Sequence, residues 1–439
     1  MSESNAFHMT GNYAPVAEEV TTDDLNLVGE IPPTLNGLYV RNGPNPSTSS
    51  GHWFTGDGML HGIQLGKGKA AWYRNRWVQT PALNKTGTYL RQDGTVDRTV
   101  GVANTNIVRH HNKILALVEN AFPVEVSPTL ETIGSYDFDG KLSSAMTAHP
   151  KTCPITGDLL FFGYHWAPPY LTYNRANRKG ELVVSRDIDV NGPTMIHDFA
   201  ITEHFVIFMD LPVVFNLEKA AAGTSMPYEW SDEYPARLGL LPRGDETTPV
   251  RWFDIDPCYV FHPMNAFDTG NKVIFDVARY NTMWQQDNND FQSAYLTRWE
   301  IDLDAGTVNA EQLSDLAIEF PRTNDDYQGL DYQFGYAPIL DDGKGSPLIG
   351  QLAKFDLKNN RTECFEFGET VVPGEFVFAR GDGDKEDAGY LIGYGYRTES
   401  ESSAFYVFDA QRPGSGPVAR VDTPQRIPFG FHGNWLPDT

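Results

Sequence analysis

An all-β fold, a β-propeller of seven blades, is predicted by three observations. Short apolar runs recur at intervals of 44 and 47 residues. The chain devotes 40 Gly and 29 Pro of its 439 residues to turn chemistry. No amphipathic helical pattern longer than about three turns stands out. Taken in chain order, the runs are ILALVEN from Ile114, DLLFFGY from Asp158, FVIFMD from Phe205, KVIFDV from Lys272 and GYLIGYGY from Gly389. Each is apolar and β-branched or aromatic, and each ends in turn residues, as strands do. The turns read as ITGD at 155–158, FDTGN at 267–271 and LDAG at 303–306. The interval from Phe205 to Lys272, 67 residues, holds an insertion whose helical patch is 217–222. A four-stranded blade takes roughly 40–50 residues, so about seven fit, with loops and a short helix left to cap the axis. Periodicity alone also admits a large β-sandwich or two β domains. No Pro/Ser-rich linker or shift in composition divides the chain, which predicts one domain over 1–439.

Charge narrows the function. Lys and Arg number 34 against 58 Asp and Glu, a net charge of −24. Nucleic-acid binding needs clustered cations, and so does docking on anionic lipid. Three cysteines without a CxxC pair offer neither a disulfide framework nor a zinc ribbon. The first residues lack the basic-then-apolar profile of a secretory signal, and the most apolar stretch, 205–215, has 11 residues and contains Asp210. A reduced, cytoplasmic setting is expected.

Most of the eleven histidines have ordinary roles. His110 and His111 belong to a hairpin, His8, His52 and His165 lie beside aromatics, and His61 closes GDGMLHG after a strand. Three others share a frame: His149, His197 and His262 precede their strand-like runs by nine, eight and ten residues. Equivalent positions on the innermost strands of a propeller converge on its axis, where imidazoles from different blades can bind one metal ion. His432, in PFGFHGNW, is placed to join them. Nine residues before Ile114 the same frame holds Thr105, a non-ligand suited to border an open coordination position. Iron(II) takes up to six ligands, whereas zinc is more often held by three and water, so the residue types leave the metal open. Ligating histidines give their second N–H to a carboxylate. The candidates on apolar stretches are Glu119, Glu319 and Glu375.

Seven segments in order carry a family likeness: GLYVRNGPNP (37–46), GDGMLHG (56–62), TAHPKTCPITGDL (147–159), IHDFAIT (196–202), YVFHPMNAF (259–267), EFPR (319–322) and GFHGNW (430–435). From about Asn12 to Pro437 the chain resembles the carotenoid cleavage oxygenases, seven-bladed propellers with one non-haem Fe(II) held by four histidines. The resemblance implies that His149, His197, His262 and His432 are the metal ligands. It implies that Glu119, Glu319 and Glu375 support three of them, and that Thr105 partly covers a position on the iron. The implied reaction is oxidative scission of a C=C bond in a conjugated alkene by dioxygen, giving two carbonyl products. One Fe(II) per chain suffices, with no organic cofactor and no obligate protein partner.

Two local features bear on the alkene. Members that cleave hydroxystilbenes resemble one another in a lysine immediately before the first supporting glutamate, and this chain has Val118 there. Carotenoid-cleaving members often carry a long apolar, membrane-docking insertion after the segment matching DLPVVF. Here only residues 216–226 separate Phe215 from PYEW. Together these favour an apocarotenoid or carotenoid reached from solution with at most weak membrane contact, ahead of a stilbenoid or phenylpropenoid. Trp53, Phe54, Tyr164, Trp166 and Phe431 are candidates to line a substrate tunnel, with Phe54 and Phe431 foremost. A protein-binding propeller would need no in-phase histidines, and a propeller lactonase would hold calcium with oxygen ligands.

Overall fold

The computed structural model describes residues 6–48, 50–288, 291–341 and 350–438. The architecture is all-β: among the described residues the one α-helix is Leu217–Ala221, and the other elements are strands and single 3-10 turns. The residues gather into two compact units, Met1–Tyr136 with Gln333–Ile339 and Pro347–Thr439, and Asp137–Tyr332 with Leu340–Ser346.

The second unit contains three antiparallel sets of four strands. The first runs Lys151–Thr152, Leu159–Tyr164, Leu171–Ala176, Leu182–Ile188. Leu159–Tyr164 is an uninterrupted apolar run, buried along its length until its last residue. Leu182–Ile188 (LVVSRDI) is instead exposed at every second position, at Val183, Ser185 and Asp187. That gradient marks inner strands covered on both faces and an outer strand with one face in water. The second set runs Ala200–Ile201, Phe205–Asp210, Ala236–Pro242, Arg251–Ile255. Leu160, Phe162 and Tyr173 of the first set form one core with Ile196, Phe199 and Phe208 around the second. Truncating a buried phenylalanine such as Phe208 to alanine costs about 3–5 kcal/mol. The long interval after Phe205 is explained by a hairpin of Val213–Phe215 and Tyr228–Trp230 inserted within this set. Its tip is the helix Leu217–Ala221, capped by the Asn216 side chain accepting from the Lys219 N–H. The third set runs Tyr259–Thr269, Lys272–Tyr280, Ala294–Asp302, Thr307–Ile318. Its last turn is LDAG, where the Asp302 carboxylate accepts from the N–H groups of Asp304 and Ala305 and Gly306 takes φ +71°.

The first unit holds four antiparallel sets. In one, Gly37–Pro44, buried at all eight residues, lies between Gly58–Gly66 and Gly433–Pro437. Lys69–Trp77 and Thr21–Thr22 extend that sheet outward. The others are Asn106–His110 to Thr132–Ser135, Phe334–Asp341 to Arg361–Glu366, and Val371–Arg380 to Pro417–Asp422 with Leu27–Gly29 on its edge. His61 corrects one sequence expectation. It lies inside the strand Gly58–Gly66, not after one, and its buried Nδ1 meets the Tyr73 hydroxyl at 2.9 Å. The strand continues through it as a segment buried on both faces, with Leu60, His61 and Ile63 all at 0–1% exposure.

Candidate metal centre

The shared frame of the histidines has a structural basis. His149 and His197 stand just before Lys151–Thr152 and Ala200–Ile201, the first strands of their sets, and His262 lies within Tyr259–Thr269, the first strand of the third. Thr147 ties the first two together, its Oγ1 accepting from the His149 N–H at 3.1 Å and donating to the His197 carbonyl at 3.4 Å. All three imidazoles are buried, at 6–8% exposure. Their Nε2 atoms converge: His149 to His197 is 3.1 Å and His197 to His262 is 3.2 Å.

That convergence tests whether a metal suits the site. Nδ1 of His262 donates to the Glu319 carboxylate, so a neutral His262 aims the lone pair of Nε2 at its neighbour. Lone pairs facing one another in a dry interior repel unless a cation lies between them. The separations suit cis ligands about 2.2 Å from an octahedral ion, about 3.1 Å apart, better than the roughly 3.6 Å of a tetrahedron. The donor set and its spacing fit a six-coordinate divalent metal.

Glu319 is 4% exposed and holds three donors. Besides His262 Nδ1 it accepts from the Tyr280 hydroxyl at 2.8 Å and from the Phe320 N–H at 2.6 Å. Phe320 adopts φ +51°, a left-handed conformation costly for an aromatic residue, and its ring stacks on His262 at 5.0 Å. Burial pushes the Glu319 carboxyl upward, but His262, the Phe320 N–H and Tyr280 outweigh it and hold the group below the usual glutamate range. His149 has a different neighbour, which the sequence reading missed. Asp198 Oδ2 lies 3.6 Å from His149 Nδ1, and Lys151 Nζ lies 2.8 Å from Asp198 Oδ1. Burial raises the Asp198 carboxyl in spite of Lys151.

In the first unit, His432 Nδ1 donates to Glu375 Oε1 at 3.0 Å, and Gly433 N–H donates to Oε2 at 2.8 Å. A Cβ at Gly433 would meet the Tyr39 hydroxyl at 2.4 Å, so only glycine lets the chain pass here. The Thr105 carbonyl accepts from the His432 N–H at 3.1 Å, while its hydroxyl donates to Asn104 at 2.8 Å. Burial lowers the pKa of the Arg41 guanidinium, opposed by Tyr39, Tyr394, Tyr73 and the Glu375 carboxylate. Phe431 packs edge-on against Phe54 with centroids 5.4 Å apart, and lies 4.7 Å from Trp53. Glu119 is half-buried in the turn after Lys113–Leu117, directly behind the buried Val118.

Within the second unit, ligand nitrogens of His149, His197 and His262 all lie within 4.8 Å of one another, and in the first unit His432 is buried at 3% exposure. Buried imidazoles on an all-β frame, those of His262 and His432 backed by glutamates, offer a charge-neutral donor set for a divalent metal ion. The chain belongs to the family described as retinal pigment epithelial membrane protein, whose model matches residues 13–437. It is 37% identical to a carotenoid cleavage oxygenase of Mycobacterium tuberculosis over all of this chain and 99% of that protein. Among solved structures it is similar to the lignostilbene dioxygenase of Pseudomonas brassicacearum, with 29% identity, TM-score 0.89 and 99% of both chains covered. It is also similar to cobalt-substituted Synechocystis ACO, with 25% identity, TM-score 0.86 and 97% of both chains covered. The protein is accordingly an alkene-cleaving oxygenase whose metal is iron held by histidines. Among the described residues no helix is long and apolar enough to cross a membrane.

Proposed function

We propose that this enzyme cleaves a C=C bond of an apocarotenoid or carotenoid, using dioxygen to make two carbonyl products. The observation that carries the substrate class is the 37% identity, across the whole chain, to a protein named for carotenoid cleavage. Val118 supports it: a buried valine at 9% exposure has no charge to hold a phenolate. A stilbenoid or phenylpropenoid is the second reading, favoured by the likeness to a lignostilbene dioxygenase.

The four strand sets of the first unit and three of the second support seven blades of one propeller domain over 1–439, with loops and the short helix as its cap. What Fe(II) supplies when bound is one-electron exchange with dioxygen, which a closed-shell alkene lacks. The alkene and dioxygen together contain every atom and electron of the two carbonyls, so no proton has to be moved. That agrees with carboxylates committed to histidines: Glu319 and Glu375 are engaged as acceptors, and Glu119 is assigned the same work. His149, His197, His262 and His432 orient four lone pairs. The Thr105 hydroxyl is occupied by Asn104, which leaves its methyl to shield one metal position. Phe54 and Phe431 offer an apolar wall that excludes water and positions the polyene. The hairpin tip is a compact turn where an apolar insertion would stand, and with the −24 charge it supports delivery of substrate from an aqueous, cytoplasmic compartment.

The test is to incubate iron-loaded enzyme separately with an apocarotenal, resveratrol and isoeugenol and to identify aldehydes by chromatography. Turnover of the apocarotenal alone is expected. Efficient cleavage of resveratrol or isoeugenol with the apocarotenal untouched would transfer the assignment to the second reading.

A further inference from the structure

Glu319 and Glu375 each bond a ring nitrogen of a candidate ligand, and Glu119 is the third glutamate of the set. Three glutamates for four histidines leave one to be supported otherwise. Beside His149, in its own unit, stands an aspartate, Asp198, one residue beyond His197, with Oδ2 3.6 Å from His149 Nδ1. That carboxylate is 3% exposed and does not float free. Lys151 Nζ touches both its oxygens, at 2.8 and 3.1 Å, and the Phe199 N–H donates to Oδ1 at 2.6 Å. Lys151 is two residues from His149, and its ammonium also lies over the Phe199 ring at 5.9 Å. Oδ2, the oxygen that Lys151 holds less closely, also faces His149 Nδ1.

We propose that Lys151 and Asp198 form a positioning pair that orients His149 toward the metal and tunes it separately from the other ligands. The argument has two parts. A carboxylate facing Nδ1 favours the tautomer with its proton there, which leaves Nε2 as the donor to the metal. A carboxylate that shares its charge with an ammonium polarises that N–H less than one that does not, so His149 is less electron-rich than His262, whose Glu319 is held by neutral donors. The contact that distinguishes this pair from an ion pair serving only the fold is the approach of Oδ2 to the imidazole.

This rests on the assignment of the histidines as metal ligands, and the experiment separates the two. Metal-free wild type, Asp198→Asn, Lys151→Met and Lys151→Arg are titrated with Co(II), reading the dissociation constant and the visible d–d spectrum, and their melting is recorded without metal. Asp198→Asn is expected to bind Co(II) about 10–100-fold more weakly with shifted bands. Lys151→Met, which frees Asp198 to act on His149 alone, is expected to shift the bands in the opposite sense, and Lys151→Arg to restore the wild-type spectrum. Wild-type affinity and spectrum in both Asp198→Asn and Lys151→Met, with or without a lowered melting temperature, would reduce the pair to a structural ion pair and overturn the proposal. If Asp198→Asn does not fold, the two Lys151 variants decide by the same criterion. Failure of the wild type itself to bind Co(II) would instead overturn the metal centre.

Discussion

His262 and His149 lie in the same unit and turn their Nε2 atoms toward the same neighbour, yet they are backed in opposite ways. Behind His262 stands a glutamate bonded closely to Nδ1 and supported by neutral donors, the Tyr280 hydroxyl and the Phe320 N–H. Its full negative charge is available to the imidazole. Behind His149 stands an aspartate at 3.6 Å, with a lysine holding its other side. The pKa directions record the same contrast: the Glu319 carboxyl is held low by its partners, whereas burial keeps Asp198 raised. Two proposed ligands of one residue type thus have unequal carboxylates behind them.

The strongest way to break this comparison is to remove one of its ends. His262→Ala is expected to abolish stoichiometric iron and alkene cleavage, and a fully active variant without iron would refute the centre. Glu319→Gln keeps the shape but removes the charge. It is expected to weaken iron binding about 10–100-fold in a competition titration, and unchanged affinity would show that the backing carboxylate does not matter. Tyr280→Phe sharpens the contrast more gently, since Glu319 loses a neutral donor and keeps His262 and Phe320. A loss of about 1–2 kcal/mol in the metal-free protein is expected from denaturant melts. The same variant carries a pH signature. Burial and then Glu319 raise the Tyr280 hydroxyl well above its ordinary value, so the folded chain retains a proton that the unfolded chain releases above pH about 10. Tyr280 thus contributes stability that is complete below that pH and is lost as pH rises. In alkaline melts the wild type should fall more steeply than Tyr280→Phe, by about 1.4 kcal/mol per pH unit. Parallel slopes would remove Tyr280 from the account.

Much of this was legible in the sequence, and what was not has a physical reason. Apolar runs gave the inner strands closely: FVIFMD is Phe205–Asp210, and GYLIGYGY opens Gly389–Arg397. The phase of the histidines reflects their place at the first strand of each set, a local property that spacing records. Glu319 and Glu375 stood out as charges in apolar stretches. Asp198 and Tyr280 did not, because their roles depend on contacts between segments 47 and 39 residues apart, to Lys151 and Glu319 respectively. The one available signal was that charged Lys151 and Asp198 stand two residues and one residue beyond candidate ligands. Phe320 was illegible for another reason, since a positive φ at a phenylalanine is imposed by the packing around it.

Gly37–Pro44 pairs with Gly433–Pro437, joining residues separated by almost the whole sequence, and His432 stands at the threshold of that second strand. In time, this orders assembly. A growing chain presents His262 some 170 residues before His432. At about 5–20 residues per second, that is a wait of roughly 10–30 s. During that interval the nascent protein holds three of its imidazoles and lacks the fourth. On the proposed assignment of His432 as a ligand, iron loading is an event of the late or released chain, and a ribosome stalled before His432 leaves a polypeptide that looks nearly finished but lacks one proposed ligand.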